Sequence, residues 1–222
     1  PWLRHDNRFK DGRHTAVVMC DESILLPVMH SLPPEVDKVN ITSGFPLAMT
    51  PIASLVAQMF DLYTIGMRKR GEHYVTSYVG KVLTHPYAHY ISENAKSTFA
   101  TLKEQRIFYP DRSLLTMNDE DEGLSMLFPA NAGFAATGDI KQLLNLIGTT
   151  IKRIGVKAKD VDDALFQESV FRMYTIVNRL EQLAADGDMD VDITTLRRLT
   201  KQLTSSTTIP FHGEPVVGVQ VM

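Results

Sequence analysis

Residues 15–44 read TAVVMCDESILLPVMHSLPPEVDKVNITSG, and three elements can be parsed from them. Thr15 to Cys20 is a short apolar run of the kind a buried parallel strand shows. Asp21 and Ser23 are candidate N-caps, after which Ile24, Leu25, Val28, Met29 and Leu32 recur at helical spacing. Pro27 fits only near the first turn, where its missing N–H costs little. Pro33-Pro34 stops the helix, and Lys38 to Ser43 (KVNITS) reads as a second strand ending at Gly44. Strand, helix and strand with short connections predict a parallel βαβ arrangement.

Beyond Gly44 the periodicity changes. Thr50-Pro51 is an N-cap followed by proline at the first helical position. Ile52, Leu55, Val56, Met59, Leu62, Tyr63 and Met67 follow at steps of three and four, with Arg68-Lys69-Arg70 in the expected last turn and Gly71 as the stop. From there to about Ser206 the sequence predicts helices and loops without a strand. The helices are Thr76 to Thr84, Ser92 to Gln105, Asp139 to Ile154 ending at Gly155, Asp160 to Asp186, and Asp192 to Ser205. Asn118 to Gly123 reads as a solvated acidic loop. The strongest seam is Phe166, Val170, Met173, Val177, Leu180 and Ala184, closed by Gly187.

After Thr207 to Phe211 and His212-Gly213-Glu214-Pro215, the run Val216 to Met222 is a β-branched strand. The expected class is therefore α/β: a small, mainly parallel sheet from residues 1–46 and 207–222, interrupted by an all-helical insertion over 47–206. Neither β end can close a sheet alone. A chain that starts at Pro1 without Met and stops inside an apolar strand is expected to be a piece of a longer protein rather than one with a natural C-terminal strand.

The 222 residues are 44% hydrophobic and 22% charged, enough for a core and too apolar for a disordered chain. A net charge of −3 gives no bulk attraction for nucleic acid, which leaves only local patches. Cys20 is the one cysteine, so no internal disulfide or cysteine-ligated cluster can form. Pro1 to Arg13 has no apolar run behind a basic start, and no stretch reaches the roughly 18 to 20 apolar residues of a membrane helix. The expectation is a cytoplasmic protein with no membrane partner.

No catalytic constellation assembles. Gly80-Lys81 has Val75 where a P-loop's first glycine should stand and Val82 where its hydroxyl residue should stand. His85 and His89 share helical spacing, but no further ligands lie nearby, so no metal site is expected. Cys20, at a strand end, reads as a buried small hydrophobe rather than a nucleophile. Two basic groups can meet phosphate: Arg68-Lys69-Arg70, and Arg197, Arg198 and Lys201. An ordinary solvated helix face is the plainer reading of each.

The order of the elements resembles the second RecA-like domain of UvrD-type superfamily 1 helicases. The resemblance rests on Thr15 to Pro33, on Val39 to Gly44 followed by Phe45-Pro46-Leu47 and Thr50-Pro51-Ile52, and on the return through Ile209 to Pro215 and Gly218 to Met222. The turns Pro46 to Pro51 and His212 to Pro215 look like those of the AddB-type branch, whose members carry a C-terminal PD-(D/E)XK nuclease and process DNA double-strand ends. Across the insertion the likeness is helical content, with Val82 to Pro86 as one local match.

The resemblance implies a RecA-like sheet, a 2B-type helical insertion, DNA as ligand, and as protein partners the parent's other domains and a helicase subunit. ATP and magnesium would belong to the parent, with no cofactor in this piece. Met19, Cys20 and Asp21 stand where active helicases often carry an arginine, and no nuclease carboxylates are present. The chain itself is thus expected to be catalytically silent. Strand-end loops of open α/β domains present amides and hydroxyls to phosphate, which makes Thr42, Ser43 and Gly44 candidate DNA contacts beside Arg197, Arg198 and Lys201. The acidic stretches Asp119 to Glu122 and Asp186 to Asp192 should face away from the strand. The alternative function is a helical protein-interaction scaffold on a small α/β base.

Overall fold

The computed structural model describes residues 2–10, 14–21, 24–41, 44–68, 72–134, 138–210 and 219–221. Two compact units divide the chain: Pro1–Pro46 with Ser206–Met222, and Leu47–Ser205.

In the first unit lie β1 (Ala16–Val17), helix α1 (Leu25–Ser31), β2 (Val39–Ile41) and β3 (Phe45–Pro46). The chain returns to it through β6 (Thr208–Ile209) and β7 (Val219–Val221). β7 pairs in parallel with both β1 and β2, placing Gln220 opposite Ala16 and Val219 opposite Val39. The two N-terminal strands are therefore not neighbours; the last strand separates them. Val219 and Val221 are fully buried, as a central strand requires. β3 and β6 pair antiparallel, Phe45 opposite Ile209. Gly44, just before β3, has φ +78°, and a Cβ there would lie 2.8 Å from the Ile209 carbonyl oxygen, so only glycine fits.

Three expectations are corrected in this unit. The run Thr15 to Cys20 contributes only two residues to the sheet, and Val18 is 70% exposed. An edge strand paired on one side for two residues cannot bury a six-residue run. Cys20 is exposed, not buried. Asp21 does not start the helix directly: a turn at Ile24, whose N–H donates to the Asp21 carbonyl, precedes α1. Pro27 falls in that helix's first turn, where it costs little. Ser23, Thr42, Ser43 and Phe211 to Gly218 lie outside the described residues.

In the second unit a 3-10 turn, Leu47–Met49, leads into α2 (Pro51–Thr64), whose buried side chains include Ile52, Leu55, Met59, Phe60, Leu62 and Tyr63. Pro51 occupies the first helical position. Thr50, however, does not cap with its oxygen: its hydroxyl donates to the Leu47 carbonyl (2.6 Å). The helix is also shorter than its apolar spacing predicts. Ile65 and Gly66 both donate to the Asp61 carbonyl, and a Cβ on Gly66 would lie 2.6 Å from the Leu62 carbonyl oxygen. The chain leaves there as β4 (Met67–Arg68), antiparallel to β5 (His73–Tyr74), a hairpin where no strand was expected. Arg68 folds back to donate to the Ile65 and Met67 carbonyls. Lys69, Arg70 and Gly71 lie outside the described residues.

Shorter helices follow: α3 (Thr76–Leu83), α4 (Ala88–Ile91), α5 (Ala95–Glu104), α6 (Arg112–Leu115) and α7 (Gly123–Leu127). The longest pair, α8 (Ile140–Lys157) and α9 (Ala164–Asp186), packs side by side and against α2. Asp139 and Asp163 cap them by accepting from Gln142 N–H and Phe166 N–H. Asp163 rather than Asp160 thus sets the start of α9. The predicted seam from Phe166 to Ala184 is buried, and Gly187 at φ +82° ends the helix. The last helix is α10 (Ile193–Ser206).

Helix α8 does not stop at Gly155; it continues to Lys157, and Ala158 closes it by donating to the Ile154 carbonyl. Gly148 and Gly155 are therefore helix-interior glycines. A Cβ at Gly148 would meet Val177 at 3.7 Å, and one at Gly155 would meet Val170 at 3.5 Å, both ordinary contacts. Gly148→Ala and Gly155→Ala should each stabilise the protein by about 0.5 to 1 kcal/mol, read as a raised urea midpoint at unchanged slope. A lowered midpoint for either would show hidden strain at that turn.

Candidate nucleic-acid interface

Helices α2 and α10 enclose a groove of about 460 Å³. Small residues of α2, Ala53 and Ala57, keep its floor open, with Val56 and Phe60 beside them. The amphipathic spacing of α10 buries Ile193, Leu196, Thr200 and Thr204 and turns Arg197, Arg198 and Lys201 outward at the groove. Arg198 and Lys201 are three apart, on neighbouring turns of one face.

The three cations are not equivalent. Arg197 forms an ion pair with Asp61 of α2, so part of its charge is already answered. Arg198 and Lys201 are exposed and make no ion pair among the described residues. The groove's hydroxyls are partly committed. Thr200 donates to Leu196 O and Thr204 to Thr200 O, which leaves their oxygens as acceptors only. Asp192, near the start of α10, accepts from Thr195 N–H at 2.6 Å. Hydrogen bonds from Thr195 hold its carboxyl below the usual range, with Arg198 adding a smaller pull.

The other candidates are placed elsewhere. Gly44 belongs to the first unit and is buried against β6. Thr42 and Ser43 are outside the described residues. His85 is buried, while His89 is exposed, so the two do not share a site. The His85 Nδ1 accepts from Tyr87 N–H (3.1 Å), which leaves Nε2–H to donate to Ser54 Oγ (2.9 Å). Burial pushes its pKa down and keeps the ring neutral. Among the described residues no group of three or more His, Cys, Asp or Glu side chains can hold a metal ion. No helix among them is long and apolar enough to cross a membrane.

The acidic stretch Asp119 to Glu122 corrects the reading of a solvated loop. Asp119 accepts from Leu124 N–H (2.9 Å) and Ser125 N–H (2.6 Å), holding the first turn of α7. Asp121 is paired with Arg153 (2.9 Å) and Lys157 (2.6 Å) of α8. Burial alone would raise its carboxyl. Hydrogen bonds from Lys157, Ser92 and Gly123 N–H outweigh that and hold it well below the usual carboxylate range. Only Glu120 and Glu122 of this stretch are exposed. The sequence reading missed this cluster because its cations stand more than thirty residues downstream.

Comparison with family models, with curated proteins and with solved structures finds no match to this chain.

Proposed function

We propose that this chain is a non-catalytic, helicase-like module that guides or cradles DNA in a double-strand-break repair helicase–nuclease. The helical unit would contact the strand along the α2–α10 groove. The observation that carries this reading is the pair Arg198 and Lys201, two exposed cations on one helix face beside an open groove. The order of elements adds support, because the insertion-like helical unit leaves after β3 and the chain returns through β6. RecA-like identity of the parallel three-strand sheet belongs to the same proposal. The implied protein partners are the parent's remaining domains and a helicase subunit; ATP binding and nuclease chemistry would sit in other domains of the parent. A second reading, a protein-interaction scaffold, draws on the exposed apolar surface between α8 and α9.

The test is fluorescence anisotropy of a labelled single-stranded oligonucleotide with the whole chain. Two phosphate contacts predict a fall in affinity of about sevenfold between roughly 50 and 200 mM salt. Arg198→Ala/Lys201→Ala should remove most of that dependence. Asp61→Asn should release Arg197 toward the strand and tighten binding by about threefold. Thr42→Ala/Ser43→Ala tests the strand-end contact. No binding at low salt, or binding indifferent to both the Arg198/Lys201 pair and Asp61, would overturn the reading.

A further inference from the structure

On α8, Lys152, Gly155 and Val156 follow at steps of three and one and so lie on one face, and Lys159 stands in the turn just beyond the end of the helix. Opposite them α9 supplies Val170, Phe171 and Tyr174, and the two sets line an open groove of about 470 Å³. The groove is mostly apolar, and its lining lysines are Lys152 on α8 and Lys159 in the turn that follows. Val156 is 62% exposed and Phe171 61%, adjoining large side chains that the protein leaves in water. Nothing within the chain requires glycine at 155, since a Cβ there makes only an ordinary contact with Val170. A helix-interior glycine costs about 1 kcal/mol relative to alanine. What it provides is a notch in the groove wall, one helical turn from Lys152. Neither lysine makes an ion pair among the described residues.

We propose that this groove docks an acidic amphipathic helix of a partner protein. A helix laid along it would seat an apolar side chain in the Gly155 notch, against Val156 and Phe171. Carboxylates flanking that side chain would meet Lys152 and Lys159. Charge complementarity selects this occupant over a basic helix, whose cations would face the two lysines. The proposal rests on residues distinct from the α2–α10 groove and stands or falls separately from DNA binding.

The probe is a labelled alanine-rich peptide of about 18 residues, long enough to hold a helix. It carries one leucine with a glutamate a turn before and a turn after; a control peptide has lysine in place of both glutamates. The glutamate peptide should bind the whole chain saturably, with Kd on the order of tens of micromolar, and at least about tenfold more tightly than the lysine peptide. Lys152→Glu/Lys159→Glu should reverse that preference. Gly155→Met should fill the notch and weaken the glutamate peptide by about tenfold, with the helical circular dichroism unchanged. Arg198→Ala/Lys201→Ala should bind the peptide like the wild type, which separates this site from the DNA groove. Equal binding of the two peptides, no saturation below about 1 mM, or indifference to Gly155→Met would overturn the proposal. So would a concentration-dependent dimer abolished by Phe171→Glu, which would assign the face to a second copy of the chain.

Discussion

Replacing Arg153 with methionine should lower the unfolding free energy by about 3 kcal/mol, measured by urea denaturation at neutral pH. The guanidinium joins three segments of the second unit. Its Nε donates to the Ile91 carbonyl (2.7 Å), and one Nη donates to both the Asp121 carbonyl (2.6 Å) and the Asp121 carboxylate (2.9 Å). The arginine and aspartate side chains are 22% and 25% exposed, too covered to be treated as a surface pair. Methionine keeps the stem but leaves two carbonyls without their donor, and such an orphaned group costs about 1 to 3 kcal/mol. Lys157 still faces Asp121, which limits the loss. A loss under about 1 kcal/mol would show that solvent already screens the cluster.

The same cluster predicts a pH dependence. Asp121 has a folded pKa below its unfolded value, so its contribution is complete above the unfolded value, about 3.9, and is lost as pH falls through the lower folded one. Stability of the wild type should therefore drop more steeply between about pH 5 and about pH 2 than that of Asp121→Asn. Parallel acid limbs for the two proteins would contradict this.

Gly123→Ala should cost at least as much, about 3 kcal/mol or more. Gly123 opens α7, and a Cβ there would lie 2.0 Å from the Ile91 carbonyl oxygen and 2.8 Å from its carbon. The obstacle is backbone, so no rotamer change relieves it. Alanine must push the end of α4 away from α7. The displaced carbonyl is the one that accepts from Arg153 Nε, so the two substitutions share a target. Their combined effect should be smaller than the sum, a coupling a double-mutant cycle can measure. Set beside Gly148→Ala and Gly155→Ala, the same chemical change has opposite signs, decided by what a Cβ would meet.

Much of the helical unit was legible from spacing. The Phe166 to Ala184 seam, the Thr50-Pro51 start and the Gly187 stop each follow from local rules that act within a turn or two. The missed features have another physical origin. Strands of two residues, such as β4 and β5, show no periodicity, and Met67 continued the helical pattern of α2 until Gly66 forced the chain out. Asp119 and Asp121 look like solvated charge because their partners are either backbone amides or cations on a distant helix. Sequence spacing put Arg197, Arg198 and Lys201 in one group, but the Asp61 pair that sets Arg197 apart exists only in three dimensions. The environment of Cys20 depended on how much of β1 joined the sheet, which no local rule reports.

The position of β7 between β1 and β2 also has a kinetic meaning. During synthesis β1 and β2 leave the ribosome well before β7, each lacking the neighbour it will have in the finished sheet. That neighbour pairs with β2 across a separation of roughly 180 residues, which makes the closure slow and entropically costly. The helical unit, rich in local contacts, can mature in the meantime. A nascent chain that had folded its helical body before releasing β7 would carry an unfinished sheet, whose unpaired β edges are open to a chaperone or to mispairing with another chain.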